Sequence, residues 1–333
     1  MVRDSREVST MGAIGPTWMR WSLILALPLM AGHPVVVAGA ERGVAAMITE
    51  IHAGQGQVEV VSAGTERARP ATPLLALRAG DAVSTTGDAW VVVVLSDGRG
   101  TVKVDEATSP LVVTAPPPER GRLQRGLTIL EASLTFLSTT PRELFGNLGS
   151  RGGMKPPVIL TPRNGPVLPD SLVFEWRGSR TSLYGVRVVG PDGPLFERAS
   201  VAGTRFEYPA DAPPLTTGVR YRFQLVPAWH PPQEIWFEVV DRERADAIRR
   251  DLRDLDEALP AGASPTTAVV LRAGYLSGKG LLHDARLRVT DELTRRPDEP
   301  TLHYLLGELC TRQGLSAEAQ ESFAEARFLL GGR

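Results

Sequence analysis

The sequence predicts a multidomain protein: an all-β unit, then a second all-β unit folded as a sandwich, then a C-terminal α-helical repeat unit. Three observations point there. Short β-forming runs separated by Gly, Asp and Pro recur between residues 43 and 240, and helix formers take over abruptly after Val240. A self-similarity of period 34 then sets Gly280 on Gly314, Leu281 on Leu315, Asp284 on Glu318, Ala285 on Ala319 and Val289 on Phe323.

Composition narrows the function classes. The 333 residues suffice for two or three cores. Lys and Arg number 37 against 38 Asp and Glu, so nothing in the balance favours nucleic acid or an anionic membrane surface as a partner. Gly (33) and Pro (27) are plentiful and aromatics are 6%, which suits a turn-rich exported β protein. Cys310 stands alone, so neither an intrachain disulfide nor a cysteine zinc site is available. His33, His52, His230, His283 and His303 lie far apart with no helical i, i+4 pair, so no metal and no cofactor are expected.

Taken in order, residues 1–40 read as an export signal. Arg20 precedes the apolar run Trp21 to Ala31, and Ala38-Gly39-Ala40 offers the small-x-small pattern of a cleavage site, with the mature chain starting near Glu41. Pro28, His33 and Pro34 interrupt the run short of the ~20 apolar residues of a spanning helix, so no stable span is expected after cleavage; a retained anchor is the alternative. Met11 is an alternative start, because it leaves Asp4 and Glu7 out of the region before the apolar run.

Residues 43–115 form the first β unit. Gln57–Val61 partly alternates, Ala82–Ser84 is a brief extended piece, Ala89–Leu95 is a run for a strand buried on both faces, and Asp97-Gly98 turns the chain into Thr101–Val104. Pro116-Pro117-Pro118 ends it and opens a linker over 116–155. Within that linker Leu127, Leu130, Leu134 and Leu137 fall on one face of a helix that should dock on a neighbour. Residues 156–240 carry five strand-like runs, at 173–176, 184–189, 205–208, 221–226 and 235–239, a rhythm that suits a sandwich. Residues 241–333 are helical, with 241–259 packing as a cap on two repeats.

Three resemblances follow from these residues. Gly54-x-Gly56-x-Val58, Leu77-x-x-Gly80-Asp81-x-Val83-x-Thr85, the apolar strand, and Asp97-Gly98 before Thr101–Val104 make residues 43–115 resemble the FecR-type domain. That family's regulator is a membrane-spanning protein with a cytoplasmic sigma-factor-binding segment. At most 20 residues precede the hydrophobic run here, so only the extracytoplasmic module is carried over, and with it an expected bacterial envelope setting. Trp176 and Leu215-x-x-Gly218-x-x-Tyr221 make 156–240 similar to a fibronectin type III or related immunoglobulin-like sandwich, Tyr221 being placed to bond back to backbone. Leu306-Gly307, Gly314, Ala319, Phe323 and Ala326 look like a tetratricopeptide repeat, preceded by a degenerate copy with Ala273 for Gly307 and Glu292 for Ala326.

Asp81, Asp88 and Asp97 lack the spacing of an EF-hand, and no Gly-rich loop opens a helix towards a phosphate, so the Gly/Asp pairs read as turns. No Gly-x-Ser-x-Gly elbow occurs, and His52 and His230 have no motif tying them to a nucleophile. Trp229, His230, Pro231, Pro232 and Trp236 read as a loop packed on the sandwich, with a ligand platform as the alternative. Cys310 reads as a buried apolar thiol. The expected function is non-enzymatic: an exported, periplasmic or envelope scaffold whose helical repeats hold a protein partner. The alternatives are an extracytoplasmic ligand sensor working through the first β unit and a cell-wall-active hydrolase.

Overall fold

The computed structural model describes residues 43–115, 124–139, 156–169, 172–259 and 262–331. The expected export segment with Ala38 and Ala40, the triple proline and the stretch 140–155 lie outside them. Among the described residues no helix is long and apolar enough to cross a membrane. The chain is multidomain, with four β-sheets and six helices among the described residues.

The first β unit contains β1 (Ala46–His52), β2 (Gln57–Val61), β3 (Ala68–Pro70), β4 (Ala76–Leu77), β5 (Ala82–Thr86), β6 (Trp90–Leu95), β7 (Thr101–Val104) and β8 (Leu111–Val112). Two sheets result, ordered β4-β1-β6-β7 and β3-β2-β5-β8. Alternate residues such as Val58, Val60 and Val83 from one, and Ile48, Val91 and Val93 from the other, close a common core. In β1 every residue from Ala46 to Ile51 is buried. The reason lies on its far side: Met47, with Leu74 and Val94, belongs to the helical core.

The helix expected within the linker is α1 (Gln124–Ser138). Leu130, Leu134 and Leu137 are buried and Leu127 partly so, all in the helical core. The apolar stripe therefore makes α1 a structural member of the helical unit.

The second unit pairs a five-stranded with a three-stranded sheet. Its strands are β9 (Val158–Thr161), β10 (Gly165–Val167), β11 (Val173–Arg177), β12 (Leu183–Gly190), β13 (Gly193–Ala202), β14 (Arg205–Glu207), β15 (Arg220–Pro227) and β16 (Gln233–Val239), in the orders β10-β16-β15-β12-β13 and β14-β11-β9. Phe174 of the smaller sheet stacks on Phe223 at 4.0 Å and meets Phe237 edge-on at 5.4 Å, which locks the two sheets face to face. β13 escapes pattern reading because it is an edge strand with most of its residues exposed.

Five helices complete the described residues: α2 (Arg242–Ala258), α3 (Pro265–Gly278), α4 (Leu282–Arg295), α5 (Pro300–Arg312) and α6 (Ser316–Leu329). Asp241 caps α2 by accepting from the Arg244 amide at 2.8 Å. The repeat is geometric as well as textual. Leu281 N donates to Leu276 O and Leu315 N to Cys310 O, with Gly280 and Gly314 at φ 79° and 71° between the helices. These are equivalent Schellman closures, which need a left-handed residue at that step.

Candidate functional site

The residues singled out by sequence hold turns and packing contacts. Asp81 is buried and accepts from the Ala63 and Arg78 amides, both at 2.9 Å, beside Gly80 at φ 91°. Asp97 accepts from the Arg99 amide at 2.9 Å and pairs with the Arg99 guanidinium, while Gly98 turns the β6–β7 hairpin against Leu127 of α1. Asp88 accepts from Gln55 N at 2.6 Å and Gly56 N at 3.1 Å. Each carboxylate thereby satisfies amides that the turns leave without strand partners.

In the sandwich Trp176 is buried with its ring edge-on to Tyr184 at 5.3 Å, and the Tyr221 hydroxyl accepts from the Thr216 amide at 2.7 Å. In the second repeat Ala319 and Ala326 are buried, Gly314 forms the turn, and Gly307 lies under the Phe323 ring.

Both faces of the helix pairs are occupied by this same chain. On the α3/α5 side, Leu137 of α1 fits over Gly274, and Arg312 of α5 lies 4.2 Å from the ring centre of Phe136. At the N-terminal ends of α3 and α5 sits β1. On the α4/α6 side the sandwich docks through polar contacts: Thr161 Oγ1 to His283 Nδ1 at 2.5 Å, Leu168 N to Asp284 Oδ2 at 3.2 Å, Arg286 to Glu175 at 2.8 Å, and Arg177 to Glu318 at 3.0 Å. Asp284 and Glu318 are equivalent positions of the two repeats, and each binds the sandwich.

The junction of β1 with α3 and α5 collects chemistry that the spacing of motifs did not reveal. A register shift in β1 between Ile48 and Glu50 lets neighbouring side chains reach the same helix. Thr49 Oγ1 lies 2.9 Å from Thr267 Oγ1, and Thr267 also donates to Glu50 Oε1 at 2.7 Å. Ser264, the N-cap of α3, donates a short bond to the same carboxylate. His52 Nε2 lies 3.7 Å from Glu299 Oε2, and Glu299 is the N-cap of α5. Its ring stacks on Trp90 at 3.8 Å, and Lys103 Nζ lies over the indole at 4.4 Å. One ligand atom from each of Glu50, His52 and Glu299 falls within 4.8 Å of the others. The sequence carried half a signal, since Glu50 and His52 alternate on one strand; Glu299 is remote in the chain and only folding delivers it.

A second feature lies where the sandwich meets α6. A groove of about 710 Å³ is lined by Pro156, Arg177, Leu183, Tyr184, Trp229 and Glu321, among others. Leu183 is 57% exposed and Trp229 84% exposed, so the Trp-His-Pro-Pro loop projects from the sandwich instead of packing its indole on it.

No protein-family model and no curated protein matches the chain. Among solved structures it is similar to a multi-domain immunophilin from Arabidopsis thaliana, at 10% identity and a TM-score of 0.17, over 54% of this chain and 100% of that one.

Proposed function

We propose that the chain is a non-enzymatic exported scaffold of the bacterial cell envelope that binds a protein partner. In this reading residues 1–40 direct export to the periplasm, 43–115 are a FecR-type module, 116–155 a connector, 156–240 a fibronectin type III-like sandwich, and 241–333 a tetratricopeptide-like unit. What supports it is the groove beside α6, where Trp229 and Leu183 are left in solvent next to Arg177 and Glu321. Large exposed apolar side chains rimmed by charge mark protein-binding surfaces. Because α1 and β1 cover the first-helix face of the repeats, the partner's seat is this groove. A photo-crosslinking residue at position 229 of the full chain, expressed in a bacterial envelope, should give one discrete adduct. The same residue at Glu106, exposed on the turn between β7 and β8 of the first β unit, should give none. Equal labelling at both sites, or none at either, defeats the reading. For export, N-terminal sequencing of the fractionated protein should find a start near Glu41, and a start upstream of residue 30 would defeat that part.

The sensor reading is favoured by one observation, the polar junction of Glu50, His52 and Glu299. A ligand event in the first β unit would reach the helical repeats through it.

A further inference from the structure

We propose that Glu50, His52 and Glu299 form a site for one divalent transition cation of the zinc or manganese type, which staples the first β unit to the helical repeats. The proposal is independent of the partner reading. Its first support is geometry. The three ligand atoms lie within 4.8 Å of one another. A tetrahedral ion with bonds of roughly 2.1 Å holds its ligands about 3.4 Å apart, so closure needs side-chain adjustments of about an ångström. His52 Nε2 and Glu299 Oε2 are already 3.7 Å apart.

The second support is charge. Glu50 is 3% and Glu299 5% exposed, and both carboxylates face the same space. Among the described residues Glu50 has hydroxyl donors from Ser264 and Thr267 and no ion-pair partner. One imidazole offsets at most one of two buried negative charges. Buried charges are stabilised by a counter-charge or a metal, and a dication supplies the missing charge.

The surroundings suit ligation. Ser264 and Thr267 orient the Glu50 carboxylate, the Thr301 amide points at Glu299 Oε1 from 3.4 Å, and Trp90 holds the imidazole plane. Such outer contacts fix ligands before the ion arrives. The His52 side chain is 38% exposed, which leaves an entry path. One nitrogen with two carboxylates fits zinc or manganese better than calcium or magnesium, which prefer all-oxygen sites.

The test uses the full exported chain. Calorimetric titration with zinc chloride or manganese chloride should show one ion per chain, and the same ion should raise the thermal unfolding midpoint. Magnesium and calcium chloride should do neither. His52→Ala and, separately, Glu299→Gln should each weaken binding on the order of 100-fold, while His230→Ala, at a half-buried histidine far from the junction in sequence, should bind as wild type. Circular dichroism checks folding; His52 is partly exposed, so His52→Ala decides the matter if Glu299→Gln does not fold. Absence of binding by the wild-type chain, or undiminished binding by folded His52→Ala, overturns the proposal.

Discussion

Gly307 and Phe323 form one packing unit: a Cβ at residue 307 would lie 2.7 Å from the Phe323 ring. The first repeat solves the same contact differently, with Ala273 and Val289 at the equivalent positions, a larger residue opposite a smaller one. Gly307→Ala should therefore cost about 1–3 kcal/mol by overpacking. Adding Phe323→Val copies the first repeat and should recover part of the loss, less the edge-on contact that Phe323 makes with Tyr304 at 5.2 Å. Urea unfolding of the two variants checks this, and a neutral Gly307→Ala would refute the packing argument.

Helix α1 is part of the helical core, so its apolar face should behave as core. Leu134 is fully buried, and Leu134→Ala should lower stability by about 2–5 kcal/mol. Thr135, exposed on the same helix, should tolerate alanine to within about 0.5 kcal/mol. Equal, small effects at both positions in denaturant titrations would mean that α1 is only a tether. The same contacts imply that residues 241–333 expressed without α1 expose the Gly274 side of α3 and lose solubility.

Glu175 carries two guanidinium groups, Arg286 at 2.8 Å and Arg205 at 3.1 Å. The Arg286 side chain is 8% exposed, so losing its carboxylate leaves a cation with little water. Glu175→Ala should cost roughly 2–4 kcal/mol, and Arg205→Ala, at the exposed end of the same network, under about 1 kcal/mol. Thermal unfolding of the two variants distinguishes a buried clasp from a surface pair; equal midpoints would argue against the clasp.

Burial pushes the Cys310 thiol above its ordinary value of 9.0, against the opposing pull of Arg286. A pKa raised by folding gives stability that is fully present below the unfolded value and is lost as pH rises through the folded value. The wild-type chain should thus lose stability above about pH 9 faster than Cys310→Ala. Thiol reagents at pH 8 should label the native chain slowly and the urea-unfolded chain fast. Rapid native labelling would contradict the buried position.

Local pattern was enough for much of this architecture. The runs Gln57–Val61 and Thr101–Val104 are strands with those bounds, and the five runs of the sandwich each became a strand. Asp241 at the head of α2 and the glycines at 280 and 314 announced where helices begin and turn. What pattern missed were elements whose environment is two-sided or absent. β1 is buried on both faces, so its Ala-Met-Ile-Thr-Glu-Ile run does not alternate, and β13 is an exposed edge with no apolar face to advertise.

By itself the sequence determined the order of β and helical units, the 34-residue helical repeat and the Asp97-Gly98 hairpin turn, because these depend on periodicity and on residues near in the chain. Tertiary structure alone decided how the units meet. It laid α1 and β1 on one side of the repeats and the sandwich on the other, left Trp229 in solvent, and brought Glu299 to Glu50 and His52. Such placements follow from burying several partial cores at once, a balance summed over residues hundreds of positions apart and invisible to any local window.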